Sequence, residues 1–448
     1  MEMESTAAGE TNRKKRRLRW PTELLGPMPG LNELHLACWT LVIVFFILRF
    51  CLPVWVQFKA GKGSIPLFPN DFTYFYGIGH IVNDYPFSRL YDYGLQLKVF
   101  NDIYKLPTRA YGPSPYPPFV ALFFSPFARV GFRLAFFLWW GCSLLLYGVG
   151  IIAAVKDFFP GERIKISLIL CFAVAFYPFF WGIFVNGQVT SVAVCTFGIA
   201  VYLERRSRLF ESGLVLSILT YKPTLLVLLV PMLLVTRRFR ALAGFATGAT
   251  ALMLVSTGFG GIQIWPEYAK FLRLFGQLTG MNGESALLLF KYVDLNSFLQ
   301  AIAGGRTATA TATLITITVA VTGTAGVLLW RAAGSGKAAQ SLVWAATITW
   351  TLLLNVYVPM YDSVLVVLAA VLTLGAVMEL KWVAAIRWIV ALSVLVFAVS
   401  WVSYDFARTH RIQLLSIAFA VLGLAQLFLL YRVTARGKKV EETALAAA

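Results

Sequence analysis

Long, uninterrupted apolar runs dominate this chain and leave it few ways to fold. A helix needs about 20 predominantly apolar residues to cross a bilayer, and runs near that length recur at 36–58, 134–155, 164–183, 308–330, 342–358, 364–377, 384–402 and 412–431. Continuity is the signal here, since neither strict alternation nor a single apolar stripe marks these segments as parts of a soluble domain. With 58% hydrophobic and 13% charged residues, the chain carries about half the charge of ordinary soluble domains. The expected fold class is all-α integral membrane: a multi-spanning helical bundle of about twelve crossings, with outer-face loops that carry interfacial helices.

The net charge of +18 would suit a nucleic-acid binder, but its placement argues against one. Arg13, Lys14, Lys15, Arg16, Arg17 and Arg19 precede the first apolar run, and Arg205, Arg206, Arg208, Arg237, Arg238, Arg240, Arg331, Lys337, Lys381, Arg387 and Arg432 flank later ones. That is the positive-inside pattern of cytoplasmic loops, and it implies contact with anionic membrane lipids and no nucleic acid. The five cysteines lie in apolar runs without paired spacing and read as small buried hydrophobes. The first run is too long for a cleaved leader and should persist as a span.

The chain divides into a basic cytoplasmic segment (1–33), a core (34–257) that includes an outer loop (59–118), a second outer loop (258–306), C-terminal transmembrane helices (307–432) and a cytoplasmic tail (433–448). The Ala-rich end of that tail reads as disordered. Parity fixes the topology: if the short, proline-bounded run Phe119–Ala128 dips without crossing, every Arg-rich short loop and both termini fall in the cytoplasm. Two short apolar runs then meet at Lys222. The same choice collects Asp71, Asn186-Gly187-Gln188, Lys222, the second long loop and Tyr361-Asp362 on the opposite, outer face.

Several of these residues could carry chemistry. Asp71 opens a segment in which Phe72, Phe75, Tyr76, Gly79 and Val82 share one helical face, as in a helix lying along the membrane interface. Its carboxylate would serve either as an N-cap or as a general base that takes a proton from an acceptor hydroxyl. Lys222, between two apolar runs and before Pro223, would snorkel to the headgroups or meet a phosphate. Asn186 and Gln188 flank a glycine suited to a tight turn, and their amides suit sugar hydroxyls. Tyr116 sits in the stiff run Tyr111–Pro118, whose rings offer a platform for a sugar or a lipid. His80, an imidazole on the Asp71 stretch, stands alone. No His, Cys or carboxylate cluster has metal-ligand spacing, so no metal or other cofactor is expected.

In this order, Asn70-Asp71-Phe72…Tyr76, Leu90-Tyr91-Asp92, Tyr116-Pro117-Pro118, Asn186-Gly187-Gln188, Tyr221-Lys222-Pro223 and Leu295-Asn296-Ser297, the chain resembles glycosyltransferase family 87 from about Asn70 to Asp362. The resemblance implies a GT-C-type fold and transfer of a hexose, with mannose the expected sugar. The donor would be polyprenyl-phosphate-linked, the acceptor a lipid or glycan hydroxyl, and the place the outer face of the cytoplasmic membrane. It implies Asp71 as catalytic base and Lys222 on the donor phosphate. Asn186, Gln188, Tyr74, Tyr76, His80, Tyr116, Asn296, Tyr361 and Asp362 would then line the sugar or substrate site. A transporter or flippase of lipid-linked sugars is the competing expectation, and it would need polar residues on both faces of one cavity.

Overall fold

The structure, a computed structural model, describes residues 30–52, 71–104, 113–279 and 288–446. The basic segment before Gly30, Asn70, Tyr111 and Gly112 lie outside the described residues.

Seventeen α-helices of the described residues organise the chain. Leu31–Phe46 (α1) is followed by three short helices, Phe72–Asp84 (α2), Tyr93–Tyr104 (α3) and Pro118–Phe124 (α4). Phe132–Val155 (α5), Arg163–Ala175 (α6), Thr190–Glu204 (α7), Leu209–Leu216 (α8), Leu229–Val235 (α9) and Phe239–Gly260 (α10) complete the first half. Ile264–Thr279 (α11) and Leu295–Ile302 (α12) belong to the second long polar stretch. Ala308–Ala332 (α13), Lys337–Leu353 (α14), Leu365–Glu379 (α15), Val383–His410 (α16) and Leu414–Ala446 (α17) end the chain. No strand occurs among the described residues.

Among the described residues, six helices are long and apolar enough to cross a membrane, or seven if α6 and the turn Phe179–Val185, bent by 76°, form one span. Shorter apolar helices cover Asn32–Phe46, Thr190–Glu204, Leu209–Tyr221 and Pro223–Val235. Helices of full spanning length are thus fewer than the expected crossings, because the other runs break at proline and polar positions. Pro178 bends one of them and Lys222-Pro223 another. Proline cannot donate to the preceding turn and forbids a straight continuation. The multi-pass membrane character itself is plain: Leu254, Phe259, Val319 and Trp388 are all more than half exposed, which water would penalise and lipid does not.

Burial sorts the helices into an inner and an outer set. Most residues of α7, α14 and α15 are buried, whereas α13 and α16 show most of their surface. The inner pair α5 and α7 cross so closely that a Cβ on Gly198 would lie 2.0 Å from the Gly150 carbonyl oxygen. Small residues at a crossing are the usual means of close packing where lipid supplies no hydrophobic drive between helices.

Two expectations need correction. Cys171 and Cys195 are buried, but Cys51 and Cys142 are exposed on the apolar surface, where a membrane makes burial in protein unnecessary. The Ala-rich tail is helical as far as Ala446, in keeping with the helix propensity of its Ala, Glu, Lys and Leu residues.

The helix α2 also differs from an interfacial helix with one buried face. Phe72, Thr73, Phe75, Tyr76, Gly77, Ile78, Gly79 and Ile81 are all buried, so it is enclosed on most sides. Its two glycines admit the neighbours, Gly77 the ring of Phe100 on α3 and Gly79 the backbone of Phe124 on α4. Short α4 follows Pro117, begins at Pro118, ends at Phe124, and packs against α2 as a prop.

The two ends of the bundle carry different chemistry. At one end Arg205 pairs with Glu379 and lies 3.5 Å from Asp157, Arg206 grips Asp157 at 3.0 Å, and Arg238 pairs with Glu204 at 2.8 Å. Trp344 donates to Glu204 as well. These contacts tie the ends of α5, α7, α14 and α15 together. The opposite ends of α7, α14 and α15 lead into segments that line a cavity.

Candidate active site

The cavity has a volume of about 560 Å³ and is lined by residues from seven separate segments of the chain. Asp71 and Tyr74 come from the start of α2, and Pro113, Pro115 and Tyr116 from the proline-rich run. Tyr177, Trp181, Asn186 and Gln188 come from the bent turn between α6 and α7. Lys291, Tyr292 and Tyr361 come from the second half of the chain.

Asp71 occupies the N-cap position of α2, yet its side chain caps nothing. Its Oδ2 instead accepts a hydrogen bond from Gln188 Nε2 at 2.7 Å. The two segments are also joined through backbone, because Phe72 N donates to the Asn186 carbonyl at 3.0 Å. Gly187 makes this junction possible. Its φ of +69° suits glycine, and a Cβ there would lie 2.7 Å from Phe72 Cβ. Trp139 Nε1 fixes the same turn by donating to the Gly187 carbonyl at 2.9 Å.

Burial pushes the Asp71 carboxyl above its ordinary value, while the Gln188 hydrogen bond and the charges of Lys291 and Lys222 act against that rise. A carboxylate with raised proton affinity is a better base than an exposed one. The Gln188 Oε1 atom is buried without a hydrogen-bond partner. Such an acceptor costs free energy unless something donates to it, and here it belongs to a residue of the cavity wall. Burial, followed by the Asp362 and Asp71 charges, pushes the Tyr116 hydroxyl well up and keeps it a neutral donor.

Lys222 stands one layer behind the wall. Its Nζ pairs with Asp362 Oδ2, and Thr190 Oγ1 donates to Asp362 Oδ1 at 2.8 Å. The ammonium also lies 4.9 Å from the centre of the Tyr361 ring, whose residue does line the cavity. Lys222 and Asp362 are therefore at the same end of the bundle as Asp71, but are engaged with each other and not with the open space.

Of the remaining expected site residues, Tyr74, Tyr116, Asn186, Gln188 and Tyr361 line the cavity beside Asp71. Tyr76, His80 and Asn296 do not. Tyr76 donates to the Val130 carbonyl at 2.8 Å, His80 pairs with Asp84 one turn along α2 at 2.8 Å, and Asn296 accepts from Gln300 at 2.7 Å on α12. Lys291, Tyr177, Trp181, Tyr292 and Tyr404 line the cavity without having been singled out from the sequence. Among the described residues no group of three or more His, Cys, Asp or Glu side chains could hold a metal ion.

A family model, glycosyltransferase family 87, matches residues 115–355, which is more than half of the chain. The chain belongs to glycosyltransferase family 87. No curated protein and no solved structure matches it. The family 87 match contains Tyr116, Asn186, Gln188, Lys222 and Lys291, whereas Asp71, Tyr361 and Asp362 lie outside its limits. The fold brings Asp71 and Tyr361 to the cavity and Asp362 behind its wall, through contacts with matched residues: Gln188 holds Asp71, and Lys222 with Thr190 holds Asp362. As a family 87 member with several membrane-spanning helices, the protein is a membrane glycosyltransferase.

Proposed function

We propose that the protein transfers a hexose, mannose by family resemblance, from a polyprenyl-phosphate donor to a hydroxyl of a lipid or glycan. In this reading the fold is of the GT-C type and the cavity faces the outer side of the cytoplasmic membrane, with both termini and the Arg-rich end in the cytoplasm. Asp71 takes the proton of the acceptor hydroxyl as its oxygen attacks the anomeric carbon. The bond from that carbon to the phosphate oxygen breaks, and its electron pair leaves with the polyprenyl phosphate. Attack from the face opposite the phosphate inverts the anomeric centre.

The observation that carries this reading is the Asp71 carboxylate, fixed by Gln188 and partly buried in a cavity large enough for a sugar. The Asn186 amide and the Tyr116 hydroxyl, both of the cavity wall, supply an acceptor and a donor for sugar hydroxyls. Lys222 serves in this reading through its pair with Asp362 and its contact with the Tyr361 ring, which hold Tyr361 in the wall. Its direct contact with the phosphate, expected from the resemblance, would require the pair to open.

A lipid-linked donor is favoured by what adjoins the polar space. An apolar groove of about 310 Å³ between α6, α15 and α16 is lined by Phe172, Phe176, Leu374, Val394 and Phe397. Phe172 meets Phe397 at 5.5 Å, Trp401 one turn further along α16 meets Tyr177 at 5.4 Å, and Tyr177 lines the polar cavity. An isoprenoid chain could follow that aromatic path from lipid to the sugar site. Against transport stands the gathering of Asp71, Asn186, Gln188, Tyr116 and Tyr361 around one cavity at one end of the bundle, where a carrier needs polar residues on both faces of it.

The test is transfer in detergent, where vectorial movement has no readout. Purified protein incubated with radiolabelled polyprenyl-phosphate mannose and a membrane-lipid extract should yield a labelled product. Label that stays on the donor with every acceptor tried would remove the proposed reaction.

A further inference from the structure

Among the described residues lining the cavity, Lys291 is the one cation, and its side chain is exposed to the open space. None of the ion pairs among the described residues involves it. Its backbone, by contrast, is held on both sides. Gln413 donates to the Phe290 carbonyl at 3.0 Å, and Tyr292 forms an antiparallel bridge with Pro359. Val293 N donates to the Val358 carbonyl at 2.9 Å, and Ser416 donates to the Val293 carbonyl at 2.8 Å. Asp294 then closes the segment, accepting from Val358 N at 2.7 Å and from Ser297 N at 2.8 Å. An ammonium on a fixed backbone, aimed into a substrate cavity and bound to no carboxylate, is an anion site awaiting its anion.

We infer that Lys291 is the cation that receives the donor's phosphate. The inference rests on the proposed polyprenyl-phosphate donor and names the residue that recognises it. The charge arithmetic supports it: Lys222 is matched by Asp362, so the positive charge left to face a ligand is that of Lys291. As the sugar–phosphate bond breaks, the phosphodiester monoanion becomes a monoester dianion, while the acceptor proton moves to Asp71. A cation at the phosphate therefore binds the transition state and the departing lipid more strongly than the intact donor. Lys291 and Asp71 line one cavity of about 560 Å³, and the ammonium's charge acts on the carboxylate.

The probe is farnesyl phosphate, a short polyprenyl phosphate with no sugar, titrated into the full-length detergent-solubilised protein at pH 7.5, with farnesol as control. Wild type should bind farnesyl phosphate in clear preference to farnesol. Lys291→Met should weaken farnesyl phosphate by about tenfold or more, the usual size of a lost charge-assisted contact, with farnesol binding and thermal unfolding unchanged. Lys291→Arg should restore most of the loss. Asp71→Asn should bind at least as well as wild type, since a neighbouring negative charge is gone. Farnesyl phosphate binding by Lys291→Met equal to wild type overturns the assignment and leaves the donor class standing. Wild type that cannot tell farnesyl phosphate from farnesol overturns both. A headgroup site is distinguished by adding an equal concentration of short-chain phosphatidylglycerol: displacement of the probe would assign Lys291 to bilayer phosphate and end the proposal.

Discussion

Gln188 donates its side-chain amide to the Asp71 carboxylate across 2.7 Å, joining residues 117 positions apart in sequence. The contact orients the carboxylate and favours its charged form, in opposition to the burial that favours the protonated one. Gln188→Leu removes the donor and keeps the bulk, so the proton affinity of Asp71 should rise. The acidic limb of the pH–rate profile for transfer should then move to higher pH, with a loss of about tenfold on that limb, the scale of one hydrogen bond to a charged group. A profile that superimposes on wild type would show that the contact does not set the base.

Asp71 itself makes two linked predictions. Asp71→Asn should lower transfer by about 10²–10⁴-fold, the contribution of a positioned base, and wild-type activity should decline as pH falls through a midpoint above the ordinary 3.8. The stability effect runs the other way. A carboxyl whose proton affinity is higher folded than unfolded favours the folded state at low pH, and that contribution is lost as pH rises through the folded value. Asp71→Asn, neutral at every pH, should therefore unfold at a higher temperature than wild type at pH 7.5 and at the same temperature near pH 3. Scanning fluorimetry in detergent at the two pH values measures it.

How much of this was legible in the sequence differs by kind of residue. Membrane character followed from apolar continuity alone, and the turn at Asn186-Gly187-Gln188 followed from polar residues inside an apolar run. Asp71 was visible because it opens a helix after a span, although its cap role, equally visible, is not used. Lys222 was conspicuous because charge in an apolar run demands a partner, but a chain of 448 residues does not say which carboxylate 140 positions away will supply it. Lys291 carried no such signal. A lysine in a long polar stretch is ordinary, and only the backbone pairing of Tyr292 with Pro359 aims it at the cavity. His80 and Asn296, prominent by type, satisfy themselves one helical turn away.

The Lys222–Asp362 pair is expected to be costly to break and cheap to replace. Asp362 is 1% exposed and the Lys222 side chain 17%, so either residue alone would be left as an uncompensated buried charge. Lys222→Met should cost about 3–5 kcal/mol, and the double change Lys222→Met, Asp362→Leu should recover most of that. A double-mutant cycle on thermal unfolding gives the coupling. Additive effects would mean that the two residues do not depend on each other.

Gly187 ties stability to catalysis at a single Cβ. Gly187→Ala puts a side chain on a backbone with φ of +69° and within 2.7 Å of Phe72 Cβ and 3.1 Å of Phe136 Cε2. The backbone cost is about 1–2 kcal/mol and the overpacking about 1–3 kcal/mol. Relief can come only by moving Phe72, the residue next to Asp71, or by breaking the Trp139 contact with the turn. The turnover of protein that still folds should therefore fall as well as its stability. Gly198→Ala is the control. Its Cβ would lie 2.0 Å from the Gly150 carbonyl, a tighter clash, but between α5 and α7 and away from the cavity wall. It should reduce the yield of folded protein while leaving the turnover of the surviving fraction near wild type. Transfer rates normalised to the monodisperse fraction from size-exclusion chromatography separate the two cases. Equal normalised rates for both variants would mean that the Gly187 turn supports the fold without placing the base.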